Sequence, residues 1–347
     1  MPLRVALLSP FAPPSVRGNA ITVSRIARGL QARGVDVRVW DLATASERSV
    51  ADDIDAYQPS LVHAFHAYRT GPCALRLARR AELPLIVTLT GTDANHDLFD
   101  GARAATVRHV LEGAHRITVF HDSIAERVTA ALPDAATRVL VVPQAVSLEP
   151  GDPFDLARAG FSGPHVLFVF LGGVRPVKRP RLPLPAFDRV LARAPEVRLL
   201  YAGPVLDPDE GEALLRALRS RPWARHAGAV PHRQIHSLLG QADVVLNCSS
   251  SEGGMANSVL EALTMERAVL ASDIPGNRSL IDDGVTGLVF RDDADLEEHA
   301  YRLARDPELR RRLGRAGRER VEGQYPPARE IDGYVDLYRT LSPVASP

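Results

Sequence analysis

One stretch of the chain has the sequence Asn247-Cys-Ser-Ser-Ser-Glu-Gly-Gly-Met-Ala-Asn-Ser-Val-Leu-Glu-Ala-Leu-Thr-Met-Glu-Arg-Ala-Val-Leu-Ala271. An apolar run of strand length ends near Asn247, a loop of small residues follows, and a helical pattern begins near Asn257. A second apolar run starts at Ala268. Strands that alternate with helices, and that are apolar at consecutive positions, indicate a parallel sheet with both faces covered.

Short apolar runs alternate with helical patterns in both halves of the chain. The runs lie at residues 5–8, 37–40, 61–64, 85–89, 117–120, 139–142, 166–170, 197–202, 244–246, 268–271 and 288–290. The helical patterns lie at residues 22–33, 74–81, 102–112, 124–131, 210–219, 235–239, 258–266, 296–304 and 306–340. Two successive doubly wound halves predict an α/β protein of two Rossmann-like parallel-sheet domains that face each other across a cleft.

Chain length and one change in composition set the predicted domain boundaries. At 347 residues the chain suits two domains of ordinary size. Residues 147–164 are rich in Pro, Gly and Asp, which is typical of a linker. We therefore predict one domain at 1–150, a second at 164–325, and a C-terminal helix and tail at 326–347 that pack back on the first domain.

Composition and charge exclude several classes of protein. The formal net charge is +0, so nothing global favours nucleic acid as a partner. Cys73 and Cys248 are too few for a disulfide framework or a cysteine-based metal site. The N-terminal apolar run is too short for a signal peptide, and no apolar stretch approaches the roughly 20 residues that span a bilayer. We expect a cytoplasmic protein, with peripheral membrane contact left open by the arginine-rich helical segment at 310–320.

Lys178 is the only lysine among the 42 Lys and Arg residues of the chain. It follows the apolar run at 165–170 and the pair Gly172 and Gly173. A lysine is a compact point charge and an arginine a planar fork, so the two are not interchangeable against a phosphate. A strand, a glycine pair and a lone lysine in succession suggest a phosphate site. The alternative is a solvated loop in an arginine-biased composition.

The loop at residues 248–256, between the predicted strand and the predicted helix, carries a second set of candidate residues. Its two glycines let the backbone approach a ligand closely, and the amides of a helix N-terminus favour a phosphate. Glu261 lies one helical turn inside, where it could accept hydrogen bonds from a ribose diol, and Glu252 could reach a sugar hydroxyl. The alternative is an ordinary strand–loop–helix unit, with Asn257 or Ser258 as the N-cap and Glu261 as a surface carboxylate.

With two glutamates around a glycine-containing turn, this segment resembles the GT-B retaining glycosyltransferases of family 4. The resemblance covers nearly the whole chain, including residues 268–277 and 283–290. It implies that Glu252 faces the donor sugar and that Glu261 binds the nucleotide ribose. It also implies that Arg175 and Lys178 neutralise the donor diphosphate. The other donor-binding positions implied are Gly18, Asn19, Gly173, Val230, Gly253, Gly254, Met255, Ala256, Asn257 and Ser258.

Three features depart from the usual family pattern. Eight residues separate the two glutamates, where seven is usual. Arg175 precedes Lys178 by three positions rather than five, and Gly173 occupies the usual arginine position. Thr90 stands where many members carry a histidine, so the role of that histidine is not transferred to this chain.

The first half of the chain would supply the acceptor side. Gly18 and Asn19 lie at a helix start and would present amides to the donor diphosphate or to an anionic acceptor, unless they merely cap the helix. His66 and Asp93 follow the third and fourth strands, at the edge where a doubly wound sheet binds ligands, and we predict that they contact the acceptor or the donor sugar. His66 is preferred to His63 because it lies nearer the loop.

These features predict a retaining glycosyltransferase that moves a sugar from a UDP-linked donor to a small or anionic acceptor, with UDP-N-acetylglucosamine as one candidate donor. No cofactor is expected. No metal is expected either, because the Asp-x-Asp pairs at 53–55, 207–209 and 293–295 do not follow buried strands. Fixed cations and amides would then stabilise the leaving nucleoside diphosphate.

Two subgroups are similar to particular blocks of the chain. Similarity to the glycosyltransferase 1 domain-containing group lies at residues 18–25, 66–69, 91–93 and 275–277. The N-terminal blocks and residues 252–254 are also similar to bacterial selenosugar synthases, which join UDP-N-acetylglucosamine to selenophosphate, an anion that would suit the loop at Arg17. Two other classes remain open, namely a nucleotide-sugar epimerase or hydrolase and a non-catalytic nucleotide-sugar binder.

Overall fold

A computed structural model describes residues 3–15 and 17–342 of the chain. The chain divides into two compact units, one that runs to Gln144 and resumes at Pro327, and one from Ala145 to Pro326. Each unit contains a six-stranded sheet in which all neighbouring strands are parallel. The predicted α/β class with two doubly wound parallel sheets is therefore confirmed. Residues 343–347 of the predicted tail lie outside the described residues.

The order of the strands places a switch point in each sheet. The strands of the first sheet are β1 (Arg4–Ser9), β2 (Asp36–Asp41), β3 (Leu61–Phe65), β4 (Leu85–Thr88), β5 (Arg116–Val119) and β6 (Val139–Val141). Those of the second are β7 (Val166–Leu171), β8 (Val197–Ala202), β9 (Ala224–His226), β10 (Val244–Asn247), β11 (Ala268–Ser272) and β12 (Leu288–Phe290). The orders β2-β1-β3-β4-β5-β6 and β12-β11-β10-β7-β8-β9 reverse direction between β1 and β3 and between β7 and β10. Ligands of open α/β sheets bind beyond the carboxyl ends of the strands at such points.

Helices cover both faces of the sheets. They are α1 (Gly18–Ala32), α2 (Glu47–Tyr57), α3 (Gly71–Arg80), α4 (Thr92–Asn95), α5 (Ala104–Gly113), α6 (Asp122–Ala131), α7 (Pro183–Arg193), α8 (Pro208–Leu218), α9 (Ile235–Gln241), α10 (Asn257–Thr264), α11 (Pro275–Arg278), α12 (Asp293–Arg305), α13 (Pro307–Gln324) and α14 (Pro327–Leu341). In the first unit, one core lies under α2, α3, α5 and α6, and the other lies under α1 and α14. Strands enclosed on both faces explain the consecutive apolar residues of the sequence.

The last helix, α14, belongs to the first unit and packs against α1. An added Cβ at Gly29 of α1 would lie 2.4 Å from Ile331 Cδ1, so the two helices approach at a position that only a glycine leaves open. Arg25 Nε and Nη2 donate to the carboxylate of Glu330 at 3.1 and 2.8 Å. The Glu330 side chain is 1% exposed and that of Arg25 is 12% exposed. A two-pronged buried ion pair therefore fixes α14 on the first sheet.

Five helices and strands were missed by the sequence analysis. Helices α4 and α11 have only four residues each, and the other three were missed for local reasons. Helix α2 buries only Val50 and Ile54, so its apolar pattern is weak. Helix α7 begins with Pro183 and has a second proline two positions later, which looks like a helix breaker, although proline is tolerated in a first turn. Strand β9 was missed because it has only three residues, two of which are the polar residues arginine and histidine.

The arginine-rich segment forms α13, and most of its guanidinium groups are bonded within the second unit. Their partners are Asp243 for Arg310, Glu308 for Arg311, the Gly284 carbonyl for Arg312, Glu266 and Glu322 for Arg318, and the Ser279 carbonyl for Arg320. These bonds within the unit favour a solvated arginine face on α13 over a lipid-binding surface. Across the part of the chain that the structure describes, no helix is long and apolar enough to cross a membrane.

Glu330→Ala should lower the stability of the protein by about 3 kcal/mol, because it leaves Arg25 buried without its carboxylate. Asp332→Ala is the matched control, since Asp332 also lies on α14 and pairs with Arg33, which follows the last residue of α1, but with 54% and 41% of the side chains exposed. The control should cost less than about 1 kcal/mol. Urea unfolding followed by circular dichroism measures both, and equal losses would contradict the role given to the buried pair.

Candidate active site

The second sheet brings the two predicted donor loops together at its switch point. The loop after β7 carries Lys178 and the loop after β10 carries Glu252, and β7 and β10 are hydrogen-bonded neighbours. Lys178 closes the 3₁₀ turn Pro176–Lys178. The Ser250 amide donates to the carbonyl of Val177 at 2.8 Å, so the backbones of the two loops are bonded directly.

One carboxylate oxygen of Glu252 accepts three hydrogen bonds. Its Oε1 lies 2.5 Å from Lys178 Nζ, 2.6 Å from Ser249 Oγ and 3.2 Å from Asn247 Nδ2. The side chains of Lys178 and Glu252 are 15% and 11% exposed. Little water therefore screens the charges, and the pair attracts more strongly than a surface pair would. The lone lysine and the first glutamate form a single structural unit.

The pKa of Glu252 lies below its ordinary value. Burial by itself would raise the pKa, but the positive charge of Lys178 and the hydrogen bonds from Lys178, Ser249 and Asn247 outweigh it. The carboxylate is therefore ionised at neutral pH and holds the ammonium group beside it.

Arg179, which the sequence analysis did not single out, ties the lysine loop to the end of β10. Its backbone is left-handed, with φ of +46°. Its Nε donates to the Cys248 carbonyl at 2.6 Å and its Nη2 to the Ser249 carbonyl at 3.2 Å. An arginine fork suits two adjacent carbonyls, whereas the neighbouring lysine supplies a point charge. The adjacent pair Lys178 and Arg179 was the available signal in the sequence.

The start of α10 lacks the side-chain cap by Asn257 or Ser258 that the sequence offered as an alternative. The N-cap is Ala256, whose methyl group cannot cap a helix, so neither Asn257 nor Ser258 has that role. Gly254, with φ of +116°, is buried before it. An added Cβ at Gly276 of α11 would lie 2.5 Å from Glu252 Cβ, so α11 packs tightly under the loop. Met255 and Ala256 are also buried, while Gly253 is partly exposed.

Glu261 is a buried carboxylate rather than a surface one. Its side chain is 6% exposed, and its Oε1 lies 3.0 Å from Nε2 of His232. His232 begins a 3₁₀ turn, His232–Gln234, two residues after the buried Val230. The structure thus brings the predicted ribose ligand to the segment that follows Val230, another of the predicted donor-binding positions. His232 was missed because nothing in the local sequence relates it to a glutamate 29 positions later.

Arg175 and Gly173 lie between β7 and the lysine turn. Arg175 is partly buried, has extended backbone and immediately precedes the turn. At Gly173, where the family usually has an arginine, an added Cβ would lie 2.4 Å from Leu206 Cδ1. Leu206 therefore occupies the space that a side chain at Gly173 would need. The diphosphate role of Arg175 remains a prediction.

His66 lies in the loop after β3 with a left-handed backbone, φ +83°. Its Nδ1 accepts a hydrogen bond from the Arg69 amide at 3.3 Å, which places the ring proton on Nε2, 2.9 Å from Thr92 Oγ1. His63, by contrast, lies inside β3 between Tyr338 and Thr88. Burial lowers the pKa of His63 to about 3, so it is a neutral core residue.

Asp93 braces the backbone of two loops. It is fully buried, and its carboxylate accepts hydrogen bonds from the amides of Ala67 at 2.8 Å, Thr90 at 3.0 Å, Gly91 at 2.8 Å and Ala94 at 3.2 Å. Ala67 follows β3 and the other three follow β4. The geometry gives Asp93 a positioning role, and a direct substrate contact remains a prediction.

Gly18 and Asn19 form the first turn of α1, with Gly18 exposed. In each of the three Asp-x-Asp pairs, one aspartate caps a helix or joins an ion pair. Asp207 caps α8 through the Glu210 amide, Asp55 pairs with Arg80, and Asp295 pairs with Arg291.

Two protein-family models match the chain. The model described as "Glycosyl transferases group 1" matches residues 154–320, and the model described as "Glycosyltransferase Family 4" matches residues 42–150. The first match contains the loops of Lys178 and Glu252, and the second contains those of His66 and Asp93.

Relatives match over most of the chain. Glycosyltransferase 1 domain-containing protein 1 of Xenopus tropicalis is 28% identical over 331 residues, covering 93% of this chain and 94% of the relative. D-inositol 3-phosphate glycosyltransferase of Frankia alni is 30% identical over 318 residues, covering 82% and 75%. The solved structure of Anabaena HepE in complex with UDP and glucose has a TM-score of 0.80 at 13% identity, covering 98% and 100%. The predicted GT-B fold is confirmed.

Glu252→Gln should change how stability depends on pH. A carboxylate with a lowered pKa stabilises the fold above its unfolded pKa, about 4.3, and loses that contribution as pH falls through its folded pKa. The melting temperature of the variant should therefore lie below that of the parent at pH 6, and the gap should narrow towards pH 3. Glu212→Gln, at an exposed carboxylate paired with Arg216, is the control and should show no such gap. A constant gap for Glu252→Gln would contradict the assignment.

His232→Ala should weaken UDP binding about tenfold, because Glu261 loses the partner that orients it towards a ribose. His236→Ala, one helical turn further on and not bonded to Glu261, is the control and should bind UDP as the parent does. Titration calorimetry with UDP measures the dissociation constants. Unchanged affinity in His232→Ala would separate Glu261 from the nucleotide site.

Proposed function

The chain belongs to the family 4 glycosyltransferases, and from that premise we propose that it moves a sugar from a UDP-sugar to a small or anionic acceptor with retention at the anomeric carbon. The observation that carries the proposal is the pair of Lys178 and Glu252 at the switch point of the second sheet. HepE, which shares the fold, was solved with UDP and glucose. The Frankia relative is named for inositol 3-phosphate. UDP-N-acetylglucosamine is one candidate donor.

In the proposed reaction, the bond between the anomeric carbon and the diphosphate oxygen breaks, and a bond to the acceptor nucleophile forms on the same face of the sugar. UDP leaves with the bonding electron pair, and its departing phosphate oxygen takes the proton that the acceptor loses. Lys178 has three N–H donors, so it can bond to a departing phosphate oxygen while it remains bonded to Glu252. Glu252, held through Oε1 by three donors, is fixed in one orientation for a sugar hydroxyl.

The remaining donor contacts follow from the same loops. The amides at the start of α10 would contact the diphosphate, since a helix N-terminus favours an anion. Glu261, oriented by His232, would accept hydrogen bonds from the ribose. The proposal includes no cofactor and no metal, and it places the reaction in the cytoplasm.

A selenosugar synthase is the sharper alternative within the same chemistry, with selenophosphate as the acceptor. It is favoured by the arginine at position 17, next to the exposed first turn of α1. Its nucleophile would be selenium rather than oxygen, and the bonds broken and formed are otherwise the same.

Incubation with UDP-glucose, UDP-galactose and UDP-N-acetylglucosamine, each with and without acceptors that include selenophosphate, tests the proposal. Acceptor-dependent UDP release, with the α-anomer in the product by NMR, is the expected result. Isomerised sugar or UDP release without acceptor would indicate an epimerase or hydrolase instead. Binding of UDP without turnover of any donor would indicate a non-catalytic binder.

Lys178→Ala should lower the transfer rate by at least about 100-fold, because the leaving diphosphate loses its fixed cation. Arg181→Ala is the matched control, since this arginine lies three positions later, is about half exposed and pairs with Glu210. Circular dichroism should show that both variants are folded. Parent-like turnover in Lys178→Ala would remove the lysine from the proposed chemistry.

A further inference from the structure

The first sheet has its own switch point, between β1 and β3. The loops that follow these strands meet at one aromatic ring, that of Phe11. Arg17, from the loop after β1, places its guanidinium carbon 4.0 Å from the ring centre, and Arg69, from the loop after β3, places its own at 5.6 Å. Two cations from different loops are thus gathered at the position where open α/β sheets bind ligands.

The backbone of Phe11 is held by hydrogen bonds. The buried Ser9 hydroxyl donates to the Phe11 carbonyl at 2.6 Å and accepts from the Phe11 amide at 3.4 Å. The next amide, that of Ala12, donates to Asp41 Oδ2 at 3.0 Å. On the other side, the Arg69 amide is bonded to His66 Nδ1. Both loops therefore present their arginines from a fixed backbone.

The charge of this arginine pair is not neutralised by an ion pair with any carboxylate among the described residues. Asp41 and Asp93, the two acids that are hydrogen-bonded to the backbone of these loops, both accept from backbone amides. Arg69 is exposed and Arg17 is partly exposed. Two like charges beside one ring repel each other, and an anion bound between them would remove that repulsion.

We propose that Arg17 and Arg69 bind the phosphate-type dianion of the acceptor. This inference rests on the proposed function, in which the donor diphosphate is assigned to Lys178 of the second unit and only Arg17 has been related to the charge of an acceptor. A guanidinium that lies over a ring keeps its N–H groups for an acceptor in its own plane, and its fork fits two phosphate oxygens. Two such forks around one ring select a doubly charged, tetrahedral group over a neutral hydroxyl or a single carboxylate.

The dianion can come from a phosphate ester or from a free inorganic oxyanion, and the acceptors distinguish these sources. Glucose 6-phosphate and glycerol 3-phosphate represent the esters, glucose and glycerol are their neutral counterparts, and inorganic phosphate represents the free ion. We expect calorimetry to show binding of at least one of the three phosphates and not of the neutral compounds. Binding of an ester alone identifies a phosphorylated acceptor, whereas inorganic phosphate alone identifies an oxyanion acceptor.

Arg17→Gln and Arg69→Gln should each weaken that phosphate binding about tenfold, and the double variant about 100-fold, with UDP affinity unchanged. Arg38→Gln is the matched control, because Arg38 also lies over aromatic rings of the first unit, those of Trp40 and Tyr57, but on β2 and away from the switch point. It should bind both UDP and phosphate as the parent does.

Phosphate binding that survives in the double variant, or neutral acceptors bound as well as phosphorylated ones, would overturn the inference while leaving sugar transfer intact. Loss of UDP affinity in the double variant would also overturn it, by assigning the arginines to the donor. Failure of the proposed function is distinguishable, because it would leave parent and variants alike without acceptor-dependent UDP release, whatever their phosphate affinities.

Discussion

The contact between Lys178 and Glu252 holds together the two loops that form the candidate site of the second unit. Three donors converge on one carboxylate oxygen where little water reaches, so each partner limits the positions open to the others. The pair spans 74 positions of sequence and forms only because β7 and β10 are neighbours at the switch point. A lysine suits this position, since its ammonium can direct separate N–H donors to a carboxylate and a phosphate.

In the first unit, carboxylates brace the backbone of the loops. Asp93 and Asp41 accept hydrogen bonds from loop amides, and Ser9 does the same beside them. The bracing leaves basic groups, Arg17 and Arg69, towards the edge of the sheet. The two units thus share an arrangement in which buried acceptors set the loop and cations remain for a ligand. In the second unit the carboxylate, Glu252, and the cation, Lys178, are bonded to each other.

Much of the fold could be predicted because its signals are local. Consecutive apolar residues identify strands enclosed on both faces, and all eleven predicted runs are strands, nine of them with a change of one residue at one or both ends. Helices α2 and α7 were missed where the local signal is weak or carries prolines. In the site, Lys178 and Glu252 were found from residue type and position, whereas His232 and Arg179 were not. Their roles depend on partners 29 and 69 positions away, which no local pattern reveals.

The amino-acid sequence by itself determined the alternation of strands and helices, the division into two parallel-sheet halves, and the family, because these depend on residue type within short windows. Only the tertiary structure decided which atoms meet. It joined the lone lysine to the first glutamate, buried the second glutamate against a histidine, and turned Asp93 into a backbone brace. It also placed the guanidinium groups of Arg17 and Arg69 at the ring of Phe11. The physical reason is that charge, burial and hydrogen bonding act over a few ångströms in space, and distance along the chain does not determine distance in the fold.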